Sequence, residues 1–190
     1  MTVEPIPVYI LAGGHSSRFG SDKARALLDG TPMLPRIAQQ ISPLASRMTV
    51  VADRAGKYAD LGLATIADQY PGHGPMAGLH AAMLHAQGDP WLLLLSCDII
   101  EVRSDWILTL LSARKPDSKA VAFRHDHWEP LLALYSTRII QQVARRIESN
   151  DLAMHRLLDD LPAVAVPLPS DWPAVSHFNT PGELNRYSPP

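Results

Sequence analysis

Residues 7–23 read Pro7-Val-Tyr-Ile-Leu-Ala-Gly-Gly-His-Ser-Ser-Arg-Phe-Gly-Ser-Asp-Lys23. The first part, Pro7–Ala12, is apolar without polar alternation, which predicts a β-strand that is buried on both faces. The strand runs into Gly13-Gly14, and two adjacent glycines let the backbone turn and bring its N–H groups close to an anion. This stretch therefore predicts a strand followed by a tight, anion-binding loop.

The rest of this loop carries the groups that a triphosphate needs. Ser16 and Ser17 add hydroxyl donors, and Arg18 and Lys23 place two positive charges within six residues. Backbone donors can hold phosphate oxygens, and cations can offset the charge that grows on a departing group. A Gly/Ser-rich surface turn with two solvated cations would have the same composition, so composition alone leaves both interpretations open.

The loop is neither of the two familiar phosphate-binding signatures. A Walker A loop ends in Gly-Lys-Ser/Thr, whereas Gly20 is followed by Ser21-Asp22. A Rossmann fingerprint has a second glycine two residues after the first, whereas here the two glycines are adjacent. The sequence therefore argues against a P-loop NTPase and against a nicotinamide-dependent dehydrogenase.

Outward from this loop, apolar runs alternate with segments of helical periodicity. Strands are predicted at Met48–Ala52, Leu63–Ala67, Trp91–Cys97, Ala120–Phe123, Pro130–Ser136 and Val175–Phe178. Helices are predicted at Pro35–Leu44 (shortened by Pro43), Met76–Ala86, Ser104–Ala113 with Ser104 as its cap, Arg138–Glu148 and Met154–Leu161. This alternation predicts an α/β fold: a single three-layer α/β/α domain over residues 1–190 with a Rossmann-like, mainly parallel central sheet.

Two aspartates follow predicted strands, at the edge where parallel sheets bind ligands. Asp98 follows Trp91–Cys97, and a hard cation such as Mg²⁺ takes one or two carboxylates and completes its shell with phosphate oxygens and water. Asp68 follows Leu63–Ala67 and is a candidate nucleotide contact. An aspartate that caps the next segment is the alternative for Asp98, and a turn aspartate before Pro71 is the alternative for Asp68.

The bulk composition excludes several classes of protein. Over 190 residues the formal net charge is −2, which argues against a broad nucleic-acid-binding surface. The single cysteine, Cys97, suits a reducing compartment. The longest apolar run, Trp91–Leu95, is far shorter than the ~20 residues of a membrane helix. We expect a soluble, cytoplasmic protein with neither a nucleic-acid nor a membrane partner.

A helix start is encoded near the end of the chain by Thr180-Pro-Gly-Glu183. Threonine is a good N-cap, proline suits the first helical position, and a glutamate three residues after the threonine can close a capping box. We therefore expect a short helix here, with Asn179 directly before its N-terminus.

The first loop matches the nucleotidyltransferase pattern Leu-Ala-Gly-Gly-x-Ser-x-Arg-Met-Gly-x-Asp-Lys, with Phe19 in the Met position. The sequence resembles the molybdenum cofactor guanylyltransferase (MobA) family over nearly its whole length. The resemblance rests on four blocks and an ending in the family's order: Leu11–Lys23, Gly30–Leu34, Gly74–Gly78, Cys97-Asp98 and Asn179–Leu184. It implies the nucleotide-diphospho-sugar transferase-like form of the α/β fold.

The resemblance also implies an activity, which is transfer of GMP from GTP to the terminal phosphate of molybdopterin with release of pyrophosphate. It implies catalytic roles for Arg18, Lys23 and Asp98, with Asp98 as the Mg²⁺ ligand. The implied nucleotide-binding residues are Leu11, Ala12, Gly13, Gly14, Lys23, Asp68 and Asp98, and the implied pterin-binding residues are Gly78, His177 and Asn179. GTP and molybdopterin are the implied substrates, with other molybdenum cofactor enzymes as candidate partners.

The chain departs from the family pattern at three places. Ile99-Ile100 stands where the family has x-Pro after Cys-Asp, and Val51 stands where some members place a nucleotide-contacting Asn. His177 occupies the position of an Asn, which leaves Asn179 as the remaining member of that pair. The resemblance places Val51 at a nucleotide contact and His177 and Asn179 on the pterin side, so the last departure concerns the acceptor contact and not the triphosphate contact. For Gly78, close helix packing is the alternative to a ligand contact.

Two other functions fit parts of the pattern. A CTP-using or sugar-phosphate nucleotidyltransferase is one, but CTP-using relatives tend to read Leu-Ala-Ala-Gly, so Gly13 favours guanine. A non-catalytic nucleotide-binding protein that delivers the cofactor is the other. Arg18, Lys23 and Asp98 count against it, because a protein that only binds a nucleotide does not need the metal-binding aspartate.

Overall fold

The computed structural model describes residues 4–13, 22–173, 177–178, 180 and 182–184. Its strands are β1 Ile6–Leu11, β2 Leu27–Leu28, β3 Thr31–Pro32, β4 Ala45–Ala52, β5 Thr65–Ala67, β6 Trp91–Ser96, β7 Ala120–Arg124, β8 Trp128–Ser136 and β9 Ala163–Pro167. Its main helices are α1 Met33–Ile41, α2 Gly74–His85, α3 Ser104–Ser112, α4 Ile140–Glu148 and α5 Met154–Asp160. No helix in this part of the chain is long and apolar enough to cross a membrane.

Seven strands form the central sheet in the order β5-β4-β1-β6-β8-β7-β9. All neighbours are parallel except that β8 runs antiparallel to both β6 and β7. This confirms the mainly parallel α/β sheet. The chain passes from β1 to β4 on one side and later to β6 on the other, so the strand order reverses at β1. In open α/β sheets such a reversal opens a crevice at the carboxyl ends of the strands.

Each face of the sheet is covered by helices. Successive residues of β1 point to opposite faces, with Val8 and Ile10 in one apolar cluster and Tyr9 and Leu11 in the other. The first cluster contains buried residues of α1 and α3, and the second contains those of α2, α4 and α5. The three-layer α/β/α arrangement is thus confirmed, and burial on both faces explains why β1 and β6 read as unbroken apolar runs.

Several boundaries differ from the sequence-based expectation. Helix α1 begins at Met33, two residues before the predicted start. Its early end at Ile41 is as predicted: Pro43 lies in the 3₁₀ turn Ser42–Leu44, because proline lacks the N–H that another α-helical turn would need. Ser104 is not the N-cap of α3: Arg103 holds that position with extended backbone, and Ser104 is already helical. Strand β9 was not predicted. Within the described ranges it is an edge strand paired with β7, and its short, partly exposed sequence carries little periodic signal.

Two short-range motifs behave as their sequences dictate. The β2–β3 hairpin turns through Asp29-Gly30, both with positive φ (51° and 75°), as expected for a tight two-residue hairpin. The predicted capping box is confirmed: the Glu183 N–H donates to Thr180 Oγ1 at 3.3 Å, and the Thr180 N–H donates to Glu183 Oε2 at 3.2 Å.

The predicted strand Val175–Phe178 lies partly outside the described residues, at 174–176. Its last two residues are held beside the end of β6, because His177 forms an antiparallel bridge with Ile99. The Phe178 N–H also donates to the Asp98 carbonyl at 3.1 Å. The C-terminal part of the chain is therefore brought to the sheet edge where β1 and β6 end.

Candidate active site

The ends of β1 and β6 lie side by side at the carboxyl edge of the sheet. Leu11 is in register with Ser96, and the Cys97 N–H donates to the Leu11 carbonyl at 2.9 Å. Ala12 and Gly13 therefore leave the sheet next to Asp98. Leu11 and Ala12 are buried, whereas Gly13 is exposed. Among the predicted nucleotide contacts, Gly14 lies outside the described residues.

Lys23 faces Asp98 across this edge. Lys23 opens the 3₁₀ turn Lys23–Arg25, and its Nζ lies 3.4 Å from Asp98 Oδ2. The ammonium also donates to the Phe178 carbonyl at 3.1 Å. The two charged side chains are only 16% and 23% exposed, so water screens their attraction less than it would at an open surface. The structure thus brings together the cation and the carboxylate that the sequence singled out, while Arg18 lies outside the described residues.

The other oxygen of Asp98 is also engaged. The hydroxyl of buried Ser96 donates to Asp98 Oδ1, so a hydroxyl and an ammonium fix the carboxylate from two sides. Ser96 was not predicted as a site residue. The available signal was a polar residue at the end of an otherwise apolar strand, where burial requires a hydrogen-bond partner.

The donor chemistry of Asp98 suits a hard divalent cation. No group of three or more His, Cys, Asp or Glu side chains comes together within the described residues. A metal at Asp98 would therefore take its remaining ligands from nucleotide phosphates and water, which is how Mg²⁺ is commonly bound beside phosphates. One oriented carboxylate beside Ala12 and Gly13, where the candidate phosphate loop begins, fits that requirement.

Asp68 occupies the same sheet edge two strands away from β1, after β5. Its N–H donates to the Ala52 carbonyl at 2.8 Å, and its Oδ1 accepts from the Tyr70 N–H at 2.7 Å. The second contact shapes the turn before Pro71, as the turn interpretation expects. The carboxylate keeps unused acceptor capacity, so contact with a nucleotide stays a prediction.

A family model for the MobA-like NTP transferase domain matches residues 8–164. The chain belongs to this family. Its curated relatives include a probable molybdenum cofactor guanylyltransferase of Deinococcus radiodurans, 40% identical over 149 residues that cover 77% of this chain and 76% of the relative. A molybdenum cofactor guanylyltransferase of Vibrio parahaemolyticus is 30% identical over 182 residues, or 94% and 92% of the two chains.

A solved structure has the same fold. The crystal structure of molybdopterin-guanine dinucleotide biosynthesis protein A from Archaeoglobus fulgidus superposes with a TM-score of 0.82 at 24% identity, over 96% of this chain and 97% of the other. MobA-like NTP transferases are nucleotidyltransferases, and this chain is an enzyme of that class. Such enzymes generally use a divalent metal ion.

On the acceptor side, Gly78 has a clear packing role in this MobA-like chain. It lies buried within α2, and a Cβ built there would stand 2.6 Å from Leu11 Cδ2 and 3.2 Å from Leu11 Cδ1. The glycine therefore lets α2 approach β1 closely at Leu11, the last residue of the strand. The close-packing interpretation accounts for this glycine, and contact with a pterin stays a prediction.

We expect Gly78→Ala to lower the free energy of unfolding by about 1 kcal/mol. Overpacking against Leu11 destabilises by about 1–3 kcal/mol, and the higher helix propensity of Ala offsets about 1 kcal/mol of that loss. Leu11→Val removes both Cδ atoms that the new methyl would meet. In the Leu11→Val background the same change at Gly78 should therefore raise stability. Denaturant unfolding of the four proteins measures both effects, and stabilisation by Gly78→Ala in the parent chain would contradict the packing argument.

His177 lies at the same edge as Asp98, next to the start of β8. Burial raises the pKa of Glu129 on β8, and the nearby His177 and His127 partly oppose that shift. The bridge to Ile99 holds His177 at this edge. His177 and the carboxyl group of Glu129 are therefore neighbours on the β8 side of β6. Asn179, the other predicted acceptor residue of this segment, lies outside the described residues.

Proposed function

We propose that this chain transfers GMP from GTP to the terminal phosphate of molybdopterin and releases pyrophosphate. The observation that carries the proposal is Lys23 Nζ facing Asp98 Oδ2 at 3.4 Å, at the sheet edge where β1 ends in Ala12 and Gly13. The names of relatives at 40% and 30% identity support guanine and a molybdenum cofactor acceptor. GTP and molybdopterin are thus the proposed substrates.

In the proposed reaction an acceptor phosphate oxygen attacks the α-phosphorus of GTP in line. The phosphate is already ionised near neutral pH, so no general base is needed. The loop amides at Ala12–Gly14 hold the triphosphate, and Lys23 and Arg18 offset the charge that develops on the leaving pyrophosphate. Mg²⁺, held by Asp98, would neutralise phosphate oxygens and fix their approach. The chain's contribution is therefore positioning and placement of charge.

The remaining predicted residues have proposed roles around this centre. Asp68 would contact the nucleotide from the β5 side, and Gly78, His177 and Asn179 would face the pterin. A cytoplasmic location, a single domain over residues 1–190 and contacts with other molybdenum cofactor enzymes stay predictions.

The direct test is pyrophosphate release by the purified chain with Mg²⁺, molybdopterin and each of GTP, CTP, ATP and UTP. We expect release with GTP to exceed release with each of the other three. A preference for CTP would favour the CTP-using alternative. Tight GTP binding without release of pyrophosphate in the presence of acceptor would favour the non-catalytic delivery protein.

We expect Ser96→Ala to lower turnover by about tenfold and to raise the Mg²⁺ concentration needed for half-maximal rate, since losing a group that orients a metal ligand typically costs about 10–100-fold. The reason is that Asp98 Oδ1 would lose its hydroxyl donor. The matched control is Ser112→Ala, which removes an exposed hydroxyl bonded to the Thr109 carbonyl on α3. Equal Mg²⁺ dependence in both variants would contradict an orienting role.

A further inference from the structure

Tyr58 contacts two backbone regions that flank the first loop. It lies in the segment after β4 and is fully buried. Its hydroxyl stands 3.1 Å from the Ala12 carbonyl and 2.9 Å and 3.1 Å from the two carboxylate oxygens of Asp22. Ala12 follows β1, and Asp22 precedes the turn that carries Lys23. One buried hydroxyl therefore joins the structure just before residues 13–21 to the structure just after them.

The segment around Tyr58 holds the Lys23 turn through further contacts. Arg25 makes two hydrogen bonds to the Asp60 carboxylate, at 2.7 Å and 2.9 Å. Lys57 Nζ lies 3.7 Å from Asp22 Oδ2. The charged groups of Arg25 and Lys57 each lie 5.4 Å from the centre of the Tyr58 ring, a cation–π distance. These pairs are partly exposed and individually weak, so the buried hydroxyl is the best-shielded contact of the set.

Asp22 connects the Tyr58 hydroxyl to the turn that carries Lys23. Its Oδ1 also accepts the Ala24 N–H at 3.1 Å and so caps the turn from which Lys23 reaches Asp98. Burial, and then the hydrogen bond to Asp22, raise the pKa of Tyr58, so its hydroxyl keeps its proton. The single proton is available to the Ala12 carbonyl and to the Asp22 carboxylate, and each is a strong acceptor.

We infer that Tyr58 is a positioning residue for the nucleotide: its hydroxyl fixes the spacing between the end of β1 and the Lys23 turn, so that the backbone at Ala12 and Gly13 and the Lys23 ammonium are set at a fixed separation for the triphosphate. Binding to a site whose supporting groups are already ordered avoids the entropy of ordering them at that moment. The inference rests on the proposed function, because it assumes that the Leu11–Lys23 loop binds GTP. It assigns a role to a residue that has no place in the motif.

The test compares Tyr58→Phe with Tyr135→Phe in the full chain. Tyr135 is equally buried, and its hydroxyl donates to the Pro130 carbonyl at 2.9 Å, so each variant loses one buried hydroxyl. The thermal unfolding temperature should fall by similar amounts in the two variants. Calorimetric titration should show Mg·GTP binding about tenfold weaker in Tyr58→Phe, since a hydrogen bond to a charged group is lost, and unchanged in Tyr135→Phe. The KM for the acceptor should stay constant in both.

Asp22→Asn provides a second variant should Tyr58→Phe fail to fold, because Asn keeps the capping oxygen but removes the charge. It should also weaken Mg·GTP binding, and the double variant should lose less than the sum of the two single losses, because both act on one contact.

Wild-type affinity for Mg·GTP in Tyr58→Phe, or an equal loss in Tyr135→Phe, would overturn the inference. If the parent chain still releases pyrophosphate in that case, the proposed function stands. If the parent chain does not bind Mg·GTP at all, both proposals are overturned together.

Discussion

Asp98→Asn is expected to lower turnover with Mg²⁺, GTP and molybdopterin by about 10²–10³, the usual cost of removing one preorganised electrostatic contact. Asparagine keeps the size of the side chain and can still accept a hydrogen bond from Ser96. It lacks the negative charge that would hold the metal ion, and its NH₂ group would face either Ser96 or Lys23. Pyrophosphate release under saturating substrates measures the loss.

The same substitution should have little effect on folding. The Lys23–Asp98 contact is long, at 3.4 Å, and Lys23 keeps the Phe178 carbonyl as an acceptor, so its loss should change the free energy of unfolding by about 1 kcal/mol or less. Asp117→Asn, at an exposed position in the turn between α3 and β7, is the control for removing one carboxylate. Near-normal turnover of Asp98→Asn under Mg²⁺ would show that the proposed mechanism is wrong.

Lys23→Met is expected to lower kcat/KM for GTP by about 10² or more, because the cation that offsets charge on the leaving pyrophosphate would be gone. The structure fixes the position of this cation. Lys23 is the first residue of a turn capped by Asp22, and its Nζ lies between Asp98 Oδ2 and the Phe178 carbonyl. Lys23→Arg should not restore the rate, since a planar guanidinium cannot occupy the position of a compact ammonium between these two acceptors.

Lys115→Met, at an exposed site, controls for the loss of one positive charge. The double variant Lys23→Met/Asp98→Asn should be little worse than the poorer single variant, because groups that act as a unit give strongly non-additive losses. A double variant whose rate falls by the product of the two single losses would instead mean that the two side chains act independently. A Lys23→Met enzyme with nearly the parent rate would remove Lys23 from the mechanism.

Local sequence determined much of this protein. The apolar runs of β1 and β6 predicted strands covered on both faces, and both are buried between two helical layers. The Thr180–Glu183 capping box formed as its spacing requires. The family followed from short motifs, and the family model confirms it over residues 8–164. These features depend on side chains within a few positions of one another, so chemistry and spacing are sufficient to predict them.

The tertiary structure alone decided which groups meet. Lys23 contacts Asp98 and Phe178 across 75 and 155 positions of the chain, and Tyr58 reaches Asp22 across 36. It also decided that β8 runs antiparallel within the sheet and that β9 forms its edge. The close approach of the Leu11 side chain, which leaves no room for a Cβ at position 78, is likewise visible only in the tertiary structure. The physical reason is that hydrogen bonds and packing contacts are short-ranged in space, so distant residues acquire partners only after the strand order places them at one edge.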